Sequence, residues 1–277
     1  MKIKKAVITA AGTSHETLPL QTVVDRKGDI RTVLRNTLDE IFDAGIEEVA
    51  IIIRPGEAER YLTAAGSQAS RLVFCEQDNP QGYGDAILRA TDFLEGEPFL
   101  HLVSDHLYVS RSDKTCASQL IEVAAKYECS VSAIQPTREN EVLHYGTVGG
   151  SPLPLVNNVY DVTKVVEKPT PTIAEQELVV AGQRAGYYLC MFGMHVLTPS
   201  VMTLLRKNLE ATDGNIDLSS SLNELSQAER YLAFEMAGAR YDISYKYGLL
   251  IAQLAISLSG DDRDLVLTEL VNLLAQR

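Results

Sequence analysis

The chain has 277 residues, 45% of them hydrophobic and 22% charged, with a mean hydropathy near zero. These values describe a globular protein with a sizeable core and exclude a disordered chain, and no apolar run reaches the ~18 residues that a transmembrane helix needs. With 25 basic and 37 acidic residues the net charge is −12, which argues against a general nucleic-acid binder.

Strands and helices alternate through the first half of the chain. β-branched apolar runs predict strands, and apolar residues spaced three and four apart predict helices. The alternation implies a mostly parallel sheet with helices on both faces. The predicted strands cover residues 5–11, 49–53, 71–75, 99–103 and 130–134, and the predicted helices cover residues 30–44, 57–65, 84–93 and 117–127.

The second half of the chain is more mixed and shows no internal repeat or convincing linker. A single domain over residues 1–277 is therefore predicted. Strands are predicted at residues 145–148, 162–167, 188–196 and 231–236, and helices at residues 200–209, 218–227, 245–259 and 261–276.

The stretch from Gln77 to Asp105 is the most informative part of the chain. Gly82 and Gly84 open a predicted helix whose N–H groups would be free to bind an anion, and a buried strand then ends in Asp105. Ligands of parallel sheets bind at the carboxyl ends of strands, where Gly12 also falls. A strand-end carboxylate beside a helix N-terminus suits a divalent metal that bridges to a phosphate.

Eight motifs occur in the order found in one enzyme family. They are Ala6-Val-Ile-Thr-Ala-Ala-Gly12; Gln77 with Gly82-Tyr-Gly-Asp-Ala86; Glu97-Pro98 with Asp105; Tyr145-Gly146; Val166-Glu-Lys-Pro169; Phe192-Gly-Met-His-Val-Leu-Thr-Pro199; Gly214-Asn-Ile-Asp-Leu218; and Tyr241-Asp242-Ile243 with Lys246-Tyr-Gly248. Through these motifs the chain resembles the bacterial-type UTP–glucose-1-phosphate uridylyltransferases of the sugar nucleotidyltransferase superfamily.

The resemblance implies a Rossmann-like, mostly parallel mixed sheet flanked by helices, with a small β insertion on the substrate side. It divides the chain into a nucleotide-binding half (1–135), a sugar-binding half (136–260) and a C-terminal helix (261–277). It also implies a cytoplasmic protein that forms dimers or tetramers. Its substrates would be a nucleoside triphosphate and a sugar-1-phosphate, without nucleic-acid or membrane partners.

The resemblance also implies roles for individual residues. Asp105 and Asp242 would hold Mg²⁺, and Lys168 would pair with the sugar phosphate. Glu167 and the backbone at Gly146 would read sugar hydroxyls. For the nucleotide, Gln77 would read the uracil edge, while Ala11, Gly12 and Gly82 would let the backbone approach.

The nucleotide loop departs from the family pattern. Glu16 stands where the family has an arginine, Ser14 replaces a glycine, and the lysine of a following Pro-Lys-Glu segment has no clear counterpart. Three basic residues are the candidate substitutes: Arg26, Lys27 and Arg31. Further departures, at Met194, His195, Asn215 and Ser244, lie on the sugar and metal sides.

These departures leave three hypotheses open. The first is a Mg²⁺-dependent nucleotidyltransferase, with UTP and glucose-1-phosphate as the expected pair. The second is a degenerate relative that binds a nucleotide sugar or sugar phosphate without catalysis. The third keeps catalysis but changes the base or the sugar.

Structural roles are alternatives for the same residues. Asp105 and Asp242 could be caps of a turn and of the following helix. Gln77 could be a surface polar residue, and Glu167 a solvated strand end. His101 alternates with apolar residues, which is typical of a core histidine. No histidine or cysteine spacing indicates zinc or a disulfide framework.

Overall fold

The structure is a computed structural model that describes residues 1–12, 17–212 and 214–276. Within these ranges, nine strands form a main sheet and four strands form two short pairs outside it. In chain order the strands are β1 (Lys5–Thr9), β2 (Thr22–Val24), β3 (Ile30–Thr32), β4 (Glu48–Ile53), β5 (Leu72–Glu76), β6 (Phe99–Val103), β7 (His106–Ser110), β8 (Ser130–Arg138), β9 (Thr147–Pro152), β10 (Val159–Val166), β11 (Tyr187–Leu197), β12 (Tyr231–Glu235) and β13 (Gly238–Asp242).

Helices flank the main sheet. None of the helices in the described ranges is both long and apolar enough to span a bilayer. The α-helices are α1 (Val33–Phe42), α2 (Ala58–Ala65), α3 (Tyr83–Leu88), α4 (Thr91–Leu94), α5 (Cys116–Tyr127), α6 (Pro171–Glu177), α7 (Pro199–Ala211), α8 (Leu218–Ala228), α9 (Gly248–Leu258) and α10 (Arg263–Ala275).

The main sheet has the strand order β5-β4-β1-β6-β11-β8-β12-β10-β9. β5, β4, β1 and β6 are parallel to one another, as the alternation of strands and helices predicts. β11 and β10 run antiparallel to their neighbours, so the sheet is mixed. The predicted fold class, a mixed α/β sheet flanked by helices, is confirmed.

The core lies on both faces of this sheet. Alternate residues of β1 point to opposite faces, so Ala6 and Ile8 pack in one apolar cluster and Val7 in the other. The first cluster includes Leu38 of α1, and the second includes Ile87 of α3. Burial on both faces explains why these strands are continuous apolar runs in the sequence.

A two-stranded ribbon made of β7 and β13 was not predicted. It lies outside the main sheet, and its antiparallel ladder pairs His106 with Asp242 at one end and Ser110 with Gly238 at the other. A third apolar cluster, which includes Leu107, packs the ribbon against α9. The ribbon joins the two halves of the chain next to Asp105.

Three predicted helices have different limits in the structure. The helix predicted at 30–44 begins only at Val33, because residues 30–32 pair with β2. The helix predicted at 84–93 is divided into α3 and α4 by a break at residues 89–90. The helix predicted from residue 245 begins at Gly248, after Tyr247 in a left-handed conformation. The short helix α6 was missed.

Candidate active site

Two cavities open at the carboxyl ends of β1 and β6. The Gln77 cavity, of about 390 Å³, is lined by residues that include Gln77, and the Glu167 cavity, of about 460 Å³, by residues that include Glu167. They share Tyr83, Val103 and Asp105. Every site residue predicted from the sequence lines one of them: Ala11, Gly12, Gln77 and Gly82 line the first, Gly146, Glu167, Lys168 and Asp242 the second, and Asp105 both.

A cluster of possible metal ligands lies where the cavities meet. The ligand atoms of Asp105, His106 and Asp242 are all within 4.8 Å of one another. Asp105 follows β6 directly, and Asp242 is the last residue of β13, so the β7–β13 ribbon brings the two carboxylates together. The Ile243 N–H donates to the carbonyl of Asp105 at 2.9 Å and fixes the second strand beside the first.

Local hydrogen bonds orient the Asp242 carboxylate. Its Oδ1 accepts a bond from the Ser244 N–H at 2.8 Å and another from the Ser244 hydroxyl. α9 begins only at Gly248, with Tyr247 as its N-cap, which excludes the alternative of a helix-cap role for Asp242. Gly248 is packed closely, since a Cβ there would lie 2.2 Å from the carbonyl oxygen of Asp242.

The donor set of this cluster fits a hard divalent cation. Two carboxylates offer the oxygen ligands that Mg²⁺ prefers, and phosphate oxygens of a substrate would complete its coordination. His106 Nδ1 lies 2.7 Å from Asp105 Oδ1, so this nitrogen is already engaged by a carboxylate. In this arrangement the histidine orients the carboxylate and is not itself a ligand through Nδ1.

Gln77 is buried, which excludes the alternative of a surface residue. Only 5% of it is exposed, and its Nε2 donates to Asp85 Oδ2 at 2.7 Å and to the carbonyl of Gly82 at 3.3 Å. It lies just beyond β5, at the same edge of the sheet as Gly12. The side chain thus reaches the cavity from a fixed position.

The predicted anion site at the start of α3 is not available in full. The Gly84 N–H donates to the carbonyl of Ile216 at 2.8 Å, and the Gln81 N–H donates to Asp85 Oδ2 at 3.2 Å. Gly82 has a φ of 98°, and a Cβ there would lie 2.5 Å from the Ile216 carbonyl oxygen. Close packing against residues 215–216 therefore requires this glycine, whatever the cavity holds.

Tyr83, which the sequence did not single out, forms the wall between the two cavities. Its hydroxyl lies 2.6 Å from Nε2 of the buried His101, whose Nδ1 lies 3.1 Å from the carbonyl of Val7. A carbonyl can only accept, so Nδ1 carries the proton and Nε2 accepts from the tyrosine. His101 is thus a core histidine, as predicted, and it anchors the dividing side chain. The position of Tyr83 between two glycines was the available signal.

His195 stacks on His101 beneath the Glu167 cavity. The ring centroids are 5.9 Å apart, and His195 Nδ1 lies 2.6 Å from the Ser132 hydroxyl. Burial lowers the pKa of His101 to about 4 and, with a smaller effect from His101, lowers the pKa of His195 to about 3. Both rings are therefore neutral at physiological pH.

Glu167 and Lys168 line the Glu167 cavity together. Glu167 Oε2 accepts a hydrogen bond from the Ser219 hydroxyl at 2.6 Å, and its Oε1 lies 3.9 Å from Lys168 Nζ. Gly146 leaves room for these side chains, because a Cβ there would lie 2.8 Å from Met191 Sδ and 3.0 Å from Glu167 Oε2. The contact with Ser219 was missed in the sequence, where this serine follows the Gly214–Leu218 motif. These groups form a polar, partly exposed surface facing the carboxylate cluster.

The proposed substitute cations lie elsewhere. Arg31 pairs with Asp25 at 2.7 Å, and with two further aspartates. Arg26 donates to the carbonyl of Ser259. All three candidates, Arg26, Lys27 and Arg31, line a separate cavity beside α1.

Among the described residues that line the Gln77 cavity, none is a lysine or arginine. The loop residues Ser14, His15 and Glu16 lie outside the described ranges, so the expectation that Glu16 replaces a cationic contact stays a prediction.

Comparison with known proteins agrees with this geometry. The chain is 27% identical over 276 residues to a UTP–glucose-1-phosphate uridylyltransferase of Streptococcus pneumoniae, covering 90% of this chain and 88% of that protein. Enzymes of the same name from Streptococcus pyogenes are also 27% identical, over 281 residues, with 90% of this chain and 87% of each of those proteins covered.

Solved structures share the fold. A UDP-glucose pyrophosphorylase complexed with UDP-glucose has a TM-score of 0.74 at 24% identity, covering 92% of this chain and 98% of that one. A UTP-bound UGPase from Acinetobacter baumannii has a TM-score of 0.75 at 21% identity, covering 98% and 99%. The sequence pattern of the family described as Nucleotidyl transferase matches residues 5–244. The resemblance inferred from the eight motifs is thus confirmed, and the chain belongs to the nucleotidyl transferase family.

Proposed function

We propose that this protein forms a nucleotide sugar and pyrophosphate from a nucleoside triphosphate and a sugar-1-phosphate, with UTP and glucose-1-phosphate as its substrates. The observation that carries the proposal is the meeting of two cavities at Asp105, with the Asp242 carboxylate within 4.8 Å. One substrate can occupy each cavity, and both reacting phosphates would then lie against the two carboxylates. The names of the relatives support the choice of substrates.

In this reaction an oxygen of the sugar phosphate attacks the α-phosphorus of the triphosphate. A new P–O bond forms, the bond from the α-phosphorus to the β-phosphate oxygen breaks, and pyrophosphate leaves with the bonding electrons. Such a transfer depends on positioning and on charge neutralisation more than on a protein nucleophile. The residues around Asp105 would have to provide both the positioning and the charge neutralisation.

The chain's own side chains would supply the positioning. Asp105 and Asp242 would hold Mg²⁺, which when bound neutralises phosphate charge between the two substrates. Lys168 would pair with the sugar phosphate. Glu167, fixed by Ser219, would accept hydrogen bonds from sugar hydroxyls.

The nucleotide would lie in the Gln77 cavity. Gln77 would bond to the base, and the backbone at Ala11, Gly12 and Gly82 would approach the nucleotide, since all four residues line that cavity. The apolar walls of the cavity suit the faces of a base.

The test is pyrophosphate release across a matrix of nucleoside triphosphates and sugar-1-phosphates with Mg²⁺. We expect release with UTP and glucose-1-phosphate, and loss of at least ~10³-fold in Asp105→Ala, because one of the two carboxylates is removed. Asp113→Ala, an exposed aspartate on the loop after β7, is the matched control and should retain full activity. Equal rates in Asp105→Ala and the unaltered protein would contradict the assignment of Asp105.

A second candidate function is a non-catalytic receptor for a nucleotide sugar. It is favoured by the absence of lysine or arginine among the described residues of the Gln77 cavity, since losing one preorganised cationic contact costs ~10²–10³ in rate. A receptor would bind UDP-glucose in a calorimeter yet release no pyrophosphate with any substrate pair. Pyrophosphate release that Asp105→Ala abolishes would exclude it.

A further inference from the structure

The amide of Gln77 has only one orientation that the surrounding atoms allow. Its two neighbours at hydrogen-bond distance, Asp85 Oδ2 at 2.7 Å and the Gly82 carbonyl at 3.3 Å, are both acceptors. An amide that faced them with its oxygen would lose both bonds and place oxygen against oxygen. The NH₂ group is therefore turned toward Asp85, and no described residue donates to the amide oxygen.

Asp85 is itself firmly held. It is 2% exposed, accepts the Gln81 N–H at 3.2 Å and forms an ion pair with Arg89, whose Nε lies 3.2 Å from Asp85 Oδ1. A buried carboxylate with these partners acts only as an acceptor. It can orient the glutamine but cannot exchange donor and acceptor roles with it.

The fixed orientation of the Gln77 amide determines which ring edge the Gln77 cavity can bind. Gln77 lines it together with apolar walls that include Ala86 and Val103, so a flat ring fits there with one polar edge against the amide. Uracil presents a ring N3–H to an acceptor. Cytosine, of the same size, presents an unprotonated N3, which would oppose the amide oxygen in the same pose.

We propose that Asp85 is a positioning residue for base selection: it fixes the Gln77 amide oxygen as the group that meets the base, so that the cavity selects a pyrimidine with a ring N–H. This inference rests on the proposed function, because it requires a nucleotide in the Gln77 cavity. It assigns to Asp85 a part in specificity, although the residue lines neither cavity.

The matched ligands for the test are Mg²⁺·UTP and Mg²⁺·CTP, with the dissociation constant of each measured by calorimetry. We expect the unaltered protein to bind UTP about 10-fold or more tightly than CTP, because an acceptor opposed to an acceptor leaves both without a bond. In Asp85→Asn the new amide can donate or accept, so the Gln77 amide can turn and the ratio should fall toward 1. Asp78→Asn is the control, since it removes an exposed carboxylate 3.4 Å from the same arginine and should leave the ratio unchanged.

A measurement on the unaltered protein covers the case in which Asp85→Asn does not fold. In the ¹⁵N-labelled protein the side-chain amide protons of Gln77 should exchange with solvent at least about 10-fold more slowly than those of the exposed Gln21. Exchange as fast as that of Gln21 would overturn the inference.

The remaining outcomes are distinguishable. Equal loss of UTP and CTP affinity in Asp85→Asn would show a purely structural role and overturn the inference alone. Equal affinity of the unaltered protein for both nucleotides would also overturn it, while leaving the proposed function intact. Failure of both nucleotides to bind would overturn the inference and the proposed transferase together.

Discussion

Ser219 fixes a residue that we expect to bind the sugar. Its hydroxyl donates to Glu167 Oε2 at 2.6 Å, within the cavity that holds Lys168. Ser219→Ala releases this oxygen, so the KM for the sugar phosphate should rise about 5-fold with little change in kcat, which corresponds to about 1 kcal/mol. Initial-rate kinetics against sugar phosphate concentration provide the measurement.

The control is Ser226→Ala, on the same helix, since among the described residues the Ser226 hydroxyl bonds only to a backbone carbonyl and to a glutamine side chain. An unchanged KM in Ser219→Ala, or an equal rise in both variants, would count against the sugar-side role of Glu167.

Because His101 and His195 are buried and neutral, we expect the folded protein to lose stability in acid. Their folded-state pKa values, about 4 and about 3, lie below the ordinary value of 6.5. A depressed pKa means that the unfolded chain binds the proton more tightly. The stabilisation is therefore complete above pH 6.5 and is lost as the pH falls toward the folded-state values. For His101 the loss is on the order of 3 kcal/mol.

Denaturant unfolding at pH 7, 5.5 and 4.5 measures this loss. His195→Gln has no ring to protonate and should lose less unfolding free energy over that range than the unaltered protein. Gln81→Glu, or any other substitution that adds or removes a carboxylate, is unsuitable as a control, because carboxylates titrate in the same pH range. His144→Gln, which replaces an exposed histidine, is the appropriate control and should leave the change of unfolding free energy with pH as it is in the unaltered protein. Parallel curves for His195→Gln and the unaltered protein would show the prediction to be wrong.

The types of residue at the site could be inferred from the sequence, but their contacts could not. Asp105 is recognisable because it directly follows an apolar strand, and Glu167 and Lys168 because they lie in a four-residue motif. The bond from Tyr83 to His101 requires α3 to lie against β6, and the bond from Gln77 to Asp85 requires the loop between those two residues. Neither arrangement leaves a periodic signal in the sequence.

Among the elements, the β7–β13 ribbon decides whether the two carboxylates meet. Gly248 lies against its end, and a Cβ there would be 2.2 Å from the Asp242 carbonyl oxygen and 3.0 Å from Ile243 Cα. Gly248→Ala should therefore displace Asp242, lower the affinity for Mg²⁺ by about 10-fold or more, and cost about 1–3 kcal/mol of stability. Titration of Mg²⁺ by calorimetry, beside thermal unfolding, separates the two effects.

Gly238→Ala tests the other end of the same ribbon. Its Cβ would lie 2.8 Å from Cys116 Sγ, far along the ladder from Asp242, so we expect a similar loss of stability without the loss of Mg²⁺ affinity. Equal Mg²⁺ affinity in the two variants would contradict the role given to Gly248.

The long elements were predictable and the ribbon was not, for a physical reason. β4 and β6 are apolar on both faces, and α1 and α5 carry an apolar stripe. Each of these elements can therefore be recognised from a short stretch of sequence. β7 follows β6 after a turn of two residues, Ser104 and Asp105, that contains neither glycine nor proline, and β13 contains a glycine and an arginine. The two strands pair across the halves of the chain, and such pairing is set by tertiary packing and not by local propensity.

For the whole molecule, the C-terminal helices leave apolar side chains in solvent. α10 buries none of its residues, and Leu267, Val271 and Leu274, which lie on one face of the helix, are 43%, 56% and 71% exposed. An apolar surface of this kind marks a protein interface, and association of identical chains is the expectation stated from the sequence. Replacing both leucines by glutamate should convert a dimer or larger assembly to a monomer without unfolding it.

Size-exclusion chromatography with light scattering checks this expectation. Asn272→Glu adds a single negative charge at a polar position of α10 and should leave the assembly intact. A monomeric mass for the unaltered protein at micromolar concentration would show that this surface serves another purpose.

The overall architecture could be predicted further than the details. Alternating strands and helices gave the parallel half of the sheet, and the motifs gave the order of the site residues along the chain. The antiparallel placement of β11 between β6 and β8 could not be read from local patterns, because its apolar residues fit either direction.

The position of β13 late in the chain has a consequence for biosynthesis. During synthesis the N-terminal part of a chain leaves the ribosome first. Most strands around the Gln77 cavity precede residue 135, so they emerge while the partner of β7 is still unmade. The second carboxylate arrives only with Asp242, long after Asp105 has been made. A chain terminated before Asp242 would therefore lack the paired carboxylates, and synthesis of β13 is the step that completes the pair.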